Sequence, residues 1–186
     1  MGILGFLGIP ARWILFLFLV PVTVWGADQH GGLSEQELKA AALNQIVHFV
    51  RWPVGTFPEA DSPVVIGIFG EDPFGALIDE LVRGEVASGH PVKIVRCFTL
   101  EATAACHVVY IAEANLRSVA RLLHNLADRS ILTISGDDAF VERGGVISLS
   151  VRSNRIRILV NLEAAKRARV TLSSKLLRLA EIVKQP

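Results

Sequence analysis

Residues 64–69 read V-V-I-G-I-F, with no polar side chain between Pro63 and Gly70. A strand of this composition has no face to give to water, so it belongs inside a sheet covered on both sides. Three further strand-like runs follow, at 90–97, 106–112 and 130–135. Helix-like segments separate them. Asp72 and Pro73 suit the start of a helix over 74–82 that Gly84 stops. Residues 116–126 place Val119, Leu122, Leu123 and Leu126 on one face. Strands alternating with helices predict crossover units and a mostly parallel sheet. The first strand then lies between the second and third. Ligands in such sheets bind beyond the carboxyl ends of the strands where the order reverses. The loops at that point are 70–75 and 112–116.

The C-terminal part has a different rhythm. Ile147, Leu149 and Val151 alternate with Ser148, Ser150 and Arg152, and Ile156, Ile158 and Val160 alternate with Arg155, Arg157 and Asn161. Alternation on both sides of the polar stretch 152–155 predicts an antiparallel hairpin with one buried face at the sheet edge. A short helix over 162–169 follows. Ser173 or Ser174 can cap a last helix with Leu176, Leu177, Leu179, Ala180 and Val183 as its apolar positions. Nearer the N-terminus, Ser34 and Glu37 form a capping box. The helix it opens has Leu38, Ala41, Ala42, Gln45, Ile46 and Phe49 on its inward stripe and ends before Pro53. The expected class is α/β: a mostly parallel sheet flanked by helices, with a C-terminal antiparallel hairpin and terminal helices.

Residues 1–26 read as a secretory signal peptide. Arg12 precedes an apolar run from Trp13 to Val24, shorter than the roughly 20 residues a membrane span needs. Cleavage is expected after Gly26, with Ala27 as the neighbouring choice; an uncleaved anchor is the rival reading. Residues 27–186 form one domain of about 160 residues, enough for a real core. The whole chain has 19 Lys+Arg and 18 Asp+Glu, and the leader takes Arg12 with it, leaving 18 of each. A neutral chain lacks the basic surplus of a nucleic-acid binder. Arg152, Arg155, Arg157, Lys166, Arg167 and Arg169 read as a solvated face.

No G-x-S-x-G elbow, H-E-x-x-H or C-x-x-C motif occurs, and the five histidines show no ligand spacing. No catalytic residue, metal ligand or cofactor is assigned. Asp137 and Asp138 are adjacent and so point apart. The 70–75 loop faces a helix start, but Glu71 and Asp72 would repel a phosphate. It reads first as a cap. Its alternative is a pocket for a small neutral or zwitterionic ligand, made by Gly70, Asp72, Phe74 and Gly75 with Asn115 opposite. Cys97 ends the second strand and Cys106 begins the third. Parallel order puts them at opposite ends of the sheet, two strand steps or about 10 Å apart, beyond disulfide reach. Two reduced, buried thiols are expected.

The run N-R-I-R-I-x-V-N-L-x-A-A over 154–165 and L-S-S-K-L-L-R-L-A over 172–180 resemble the C-terminal half of the YfiR family. L-K-A-A at 38–41, F-V-x-W-P at 49–53, G-I-F-G-x-D-P-F-G at 67–75 and C-H-V-V-Y-I at 106–111 match upstream. The resemblance implies an exported, non-enzymatic negative regulator. Such a protein binds the periplasmic sensor region of an inner-membrane diguanylate cyclase, which lowers cyclic di-GMP and biofilm formation. A sensor kinase is the other partner the family suggests, and a second copy of the chain is a further candidate. Redox control through disulfides is attributed to some members; of the two cysteines here only Cys106 matches that pattern. Candidate partner-binding residues are Trp52 and Phe57 at the first corner, and Arg155, Arg157 and Lys175 near the C-terminus. Corner packing and solvated charge are the alternatives at those positions.

Overall fold

The computed structural model describes residues 33–112 and 115–183. The expected leader, and positions 113 and 114 of the second switch-point loop, lie outside the described residues. Helix α1 (Glu35–Val47) leads into β1 (Val50–Arg51), then β2 (Val64–Gly70), α2 (Ala76–Leu81), β3 (Val86–Ala87) and β4 (His90–Cys97). Next come α3 (Leu100–Thr103), β5 (Val108–Ala112), α4 (Leu116–Leu126) and β6 (Leu132–Ser135). A 3-10 turn (Asp138–Phe140) precedes β7 (Ile147–Arg152) and β8 (Arg155–Val160). The chain closes with α5 (Leu162–Arg167), β9 (Thr171–Leu172), α6 (Ser174–Leu179) and β10 (Glu181–Ile182).

The main sheet runs β10-β8-β7-β6-β5-β2-β4-β3, and β1 pairs with β9 in a small antiparallel sheet. From β4 through β7 the pairs are parallel, with β2 between β4 and β5. The α/β architecture and strand order expected from the alternation are therefore present. Period-two geometry sends Ile66, Ile68, Val108, Tyr110, Leu132 and Ile134 to the face covered by α1 and α2. Val109 and Ile111 point the other way, into a second cluster with Phe69, Leu122 and Leu126 under α4. Both faces are covered, as the all-apolar strand requires.

The hairpin turns on Ser153 and Asn154, both left-handed (φ 49° and 58°), the primed two-residue turn that matches strand twist. Its buried face is double, not single. Ser148 and Ser150 are buried as well as Ile147 and Leu149, because α1 packs on the Ile147 and Leu149 face and the 3-10 turn packs on the Ser148 face. Nor is β8 the edge, since β10 adds beside it in parallel.

Four other expectations need correction. The capping box at Ser34 is present, but α1 buries Ala40, Leu43, Asn44, Ile46 and Val47, while Ala41 and Gln45 are exposed. Alanines on both flanks leave its sequence with little sidedness, so the sheet chose the face. Helix α2 starts at Ala76, later than expected, behind the left-handed Gly75. The last helix ends at Leu179. Ala180 is extended and Val183 follows β10, so neither is helical. The cysteines are reduced and buried, as expected, but their expected separation is the largest discrepancy. Cys97 and Cys106 are both buried, and their sulfurs are 3.7 Å apart. The strand order is as expected, yet they meet because each side chain reaches over Gly67 of β2, which has no side chain to hold them apart. Cys106 also precedes β5 rather than opening it. No disulfide joins them.

Candidate functional site

The first corner is built by Pro53, which forces the chain out of its extended run into the loop 53–63. Trp52 donates from Nε1 to the His107 carbonyl at 3.3 Å. Phe57 is sandwiched between two imidazoles: its ring lies 3.9 Å from that of His90 and 4.6 Å from that of His107, nearly parallel to both. Trp52 meets Phe57 edge-on. His107 accepts from the Val65 amide at Nδ1, and burial holds its pKa below the usual imidazole value, with a backbone hydrogen bond to Thr56 acting against that. Phe57 is thus a packing residue and Trp52 is partly one. The residue beside them that faces solvent in full is Val54. Sequence spacing gave no sign that His90 and His107 would bracket one ring; they come together only because β4 and β5 flank β2.

The second group lies along the hairpin. Asp138 receives Arg152 at 2.8 Å and Arg157 at 3.2 Å, and Arg157 makes a two-pronged contact to Glu181 of β10 at 3.0 and 2.7 Å. Asp137 turns elsewhere, capping the 3-10 turn and pairing with Arg143. The neighbouring carboxylates therefore serve separate partners. Of the three candidate cations, Arg157 is spent on this network. Arg155 and Lys175 are exposed and have no ion-pair partner among the described residues. The strip beside Glu181 also exposes Leu179 and Ile182, one 71% and the other 50% accessible.

The third group is the switch-point crevice. A cavity of about 460 Å³ opens beyond the carboxyl ends of β2, β5 and β6, with Glu71, Asp72, Tyr110, Ser135, Gly136 and Asp137 in its lining. Asp72 accepts from the Phe74 and Gly75 amides at 2.8 and 3.3 Å, an Asx turn ahead of α2. Arg96 of β4 fastens that turn. It donates to Asp72 at 3.0 Å, to both oxygens of Asp79 at 2.7 and 2.6 Å, and to the Gly75 carbonyl at 2.8 Å. Hydrogen bonds from Arg96 hold the Asp79 carboxyl below its usual range. Gly70 and Gly75 supply left-handed backbone (φ 99° and 55°), and Phe74 is buried edge-on against Tyr110. Asn115 caps α4 by accepting from the Arg117 and Ser118 amides. Asp72, Phe74, Gly75 and Asn115 are therefore occupied in shaping the crevice. Tyr110, which lines it, and Lys39, whose Nζ lies beside Gly136, come from a strand interior and a helix that spacing did not single out. Among the described residues no helix is long and apolar enough to cross a membrane, and no group of histidines, cysteines and carboxylates could hold a metal ion.

A family model described as DUF4154: YfiR/HmsC-like matches residues 36–181. No curated protein matches the chain. Ten solved chains do. One is the crystal structure of a conserved domain protein from Vibrio cholerae O1 biovar eltor, with a TM-score of 0.53 and 15% identity over 82% of this chain and 61% of that one. That likeness is one of fold, and this chain spans about three fifths of the length of that structure.

Proposed function

We propose that this chain, which belongs to the YfiR/HmsC-like family, is an exported regulator that works through a protein interface. Its partner is the periplasmic sensor region of an inner-membrane diguanylate cyclase, which it holds inactive, lowering cyclic di-GMP. The family match carries this reading. The expected leader at 1–26 supports export. The surface supports an interface: Val54 beside Trp52 at the first corner, and Leu179, Ile182 and Arg155 around the β8–β10 edge, are exposed side chains of the kind that mark contact sites. Half-buried Phe57 and ion-paired Arg157 act behind that surface, as positioning residues for the corner and the edge strand.

The test is cellular cyclic di-GMP in a deletion strain complemented with variants. Deletion raises it, and the wild-type gene with its leader restores it. Arg155→Glu, which touches no ion pair of the network, and Leu179→Asp, at a side chain 71% exposed, fold normally and fail to restore it. Full complementation by a folded Arg155→Glu, Leu179→Asp double variant would remove the β8–β10 edge from the interface. Unchanged cyclic di-GMP on deletion would turn attention to a sensor kinase as partner.

A further inference from the structure

A second cavity, of about 280 Å³, lies between α4 and α5, away from the β8–β10 edge and the first corner. It opens where the two apolar clusters of the core part. Leu126 and Ile131 belong to the cluster under α4, and Ala164 and Ala168 to the other. Those alanines, with Ala120 of α4, are too short to fill the space between the helices, so the floor stays open. Protein interiors are normally close-packed, and an apolar wall facing a void gives up its dispersion contacts. An apolar cavity of about 150 Å³ accepts benzene, so one of about 280 Å³ suits a ligand of roughly ten non-hydrogen atoms.

The charged groups in the lining are all of one sign. His124, Arg143 and Arg167 line the cavity, and no carboxylate does. The two guanidiniums stand either side of Gly144. Arg143 precedes it in the chain, and a Cβ on Gly144 would lie 3.8 Å from Arg167 Nη2. Arg143 already pairs with Asp137, but a guanidinium has five N–H donors and can serve a second acceptor. A bare inorganic anion would leave the apolar floor uncovered. A neutral hydrocarbon would leave the cations without a counter-charge. An apolar body ending in one anion satisfies both, and a carboxylate matches the planar guanidinium fork.

We propose that the cavity between α4 and α5 binds a medium-chain aliphatic carboxylate, its chain over Leu123, Leu126 and Ile131 and its carboxylate between Arg143 and Arg167 at Gly144. This goes beyond partner binding and is tested on the isolated protein, so the two readings fail separately.

The mature protein is purified from the periplasm, stripped of lipid on a hydrophobic resin and titrated calorimetrically with octanoate. One equivalent binds, with a Kd below about 1 mM. Butanoate, four methylenes shorter, binds about a hundredfold more weakly. Octanol, which keeps the chain and lacks the charge, binds at least about tenfold more weakly. Ala120 and Arg167 are exposed, so variants there keep the wild-type urea midpoint. Ala120→Leu, a change to another good helix former, fills the space between the helices and weakens octanoate at least about tenfold. Arg167→Gln weakens it about tenfold and leaves octanol unchanged. No octanoate binding at millimolar concentration would overturn the proposal. So would octanol that binds as tightly as octanoate, or octanoate binding that Ala120→Leu and Arg167→Gln leave unchanged. A lysophosphatidylglycerol, the lipid source of the same chain and charge, competes weakly because its head group is larger; displacement of octanoate by it at lower concentration would overturn the free acid as the ligand.

Discussion

Gly67→Ala puts a methyl group where two thiols already are. The new Cβ would stand 2.6 Å from the Cys106 sulfur, 3.0 Å from the Cys97 sulfur and 3.4 Å from Cys106 Cβ. Carbon and sulfur do not approach within 3 Å without repulsion, and each sulfur hangs from one rotatable bond inside a packed cluster. Gly67 lies mid-strand with β4 on one side and β5 on the other, in register with Val95 and Val109, so the backbone has little room to yield. Overpacking of this kind costs about 1–3 kcal/mol. Stiffening of the unfolded chain returns about 0.4–1 kcal/mol, leaving a net loss of about 1–2 kcal/mol. With a urea slope of about 1–3 kcal/mol/M, the midpoint falls by about half to one molar. The double-mutant cycle with Cys106→Ala isolates the cause. Removing the nearer sulfur makes room for the methyl, so Gly67→Ala costs at least about 1 kcal/mol less in the Cys106→Ala background. Equal loss in both backgrounds, or no loss in either, would refute the reasoning.

Three further outcomes follow from the same contacts. Burial pushes the Cys106 thiol up to about 12 and raises Cys97 as well, so at pH 8 the folded protein reacts with a thiol reagent far more slowly than the urea-unfolded chain; stoichiometric labelling within minutes in the native state would contradict the burial. His107 binds a proton less readily folded than unfolded, since burial lowers its pKa. Its contribution to stability is complete above about pH 6.5 and is lost as pH falls through the lower native value, and His107→Asn flattens the urea midpoint against pH below about 6.5. Asn161 is buried, donates to the Val141 carbonyl at 2.8 Å and accepts from the Ala164 amide at 2.9 Å; Asn161→Ala strands both partners and costs about 2–4 kcal/mol in urea unfolding.

The sequence by itself determined the fold class, the parallel order of the central strands, the span of α4, the capping box of α1 and the family. These rest on local regularities. An apolar run with no polar position must be covered on both sides, a period of two or 3.6 is written into neighbouring residues, and a cap needs only residues a turn apart. The tertiary structure alone decided which face of α1 points inward, because Ala40, Ala41 and Ala42 carry no difference a periodicity could use. It decided that β7 is buried on both faces, since that depends on α1 and the 3-10 turn packing above and below it. It also decided β1, β3, β9 and β10, whose two residues each are too few for a pattern. The polar groups at the crevice were hidden for a related reason. Lys39 and Tyr110 are 71 positions apart and look like a surface lysine and a core tyrosine, and only the packing of α1 on the sheet brings them over Gly136. The cysteines give the sharpest contrast. Strand order was legible and implied that they could not meet, while the contact turns on the missing side chain of Gly67, a vacancy on a neighbouring strand that no spacing along the chain records.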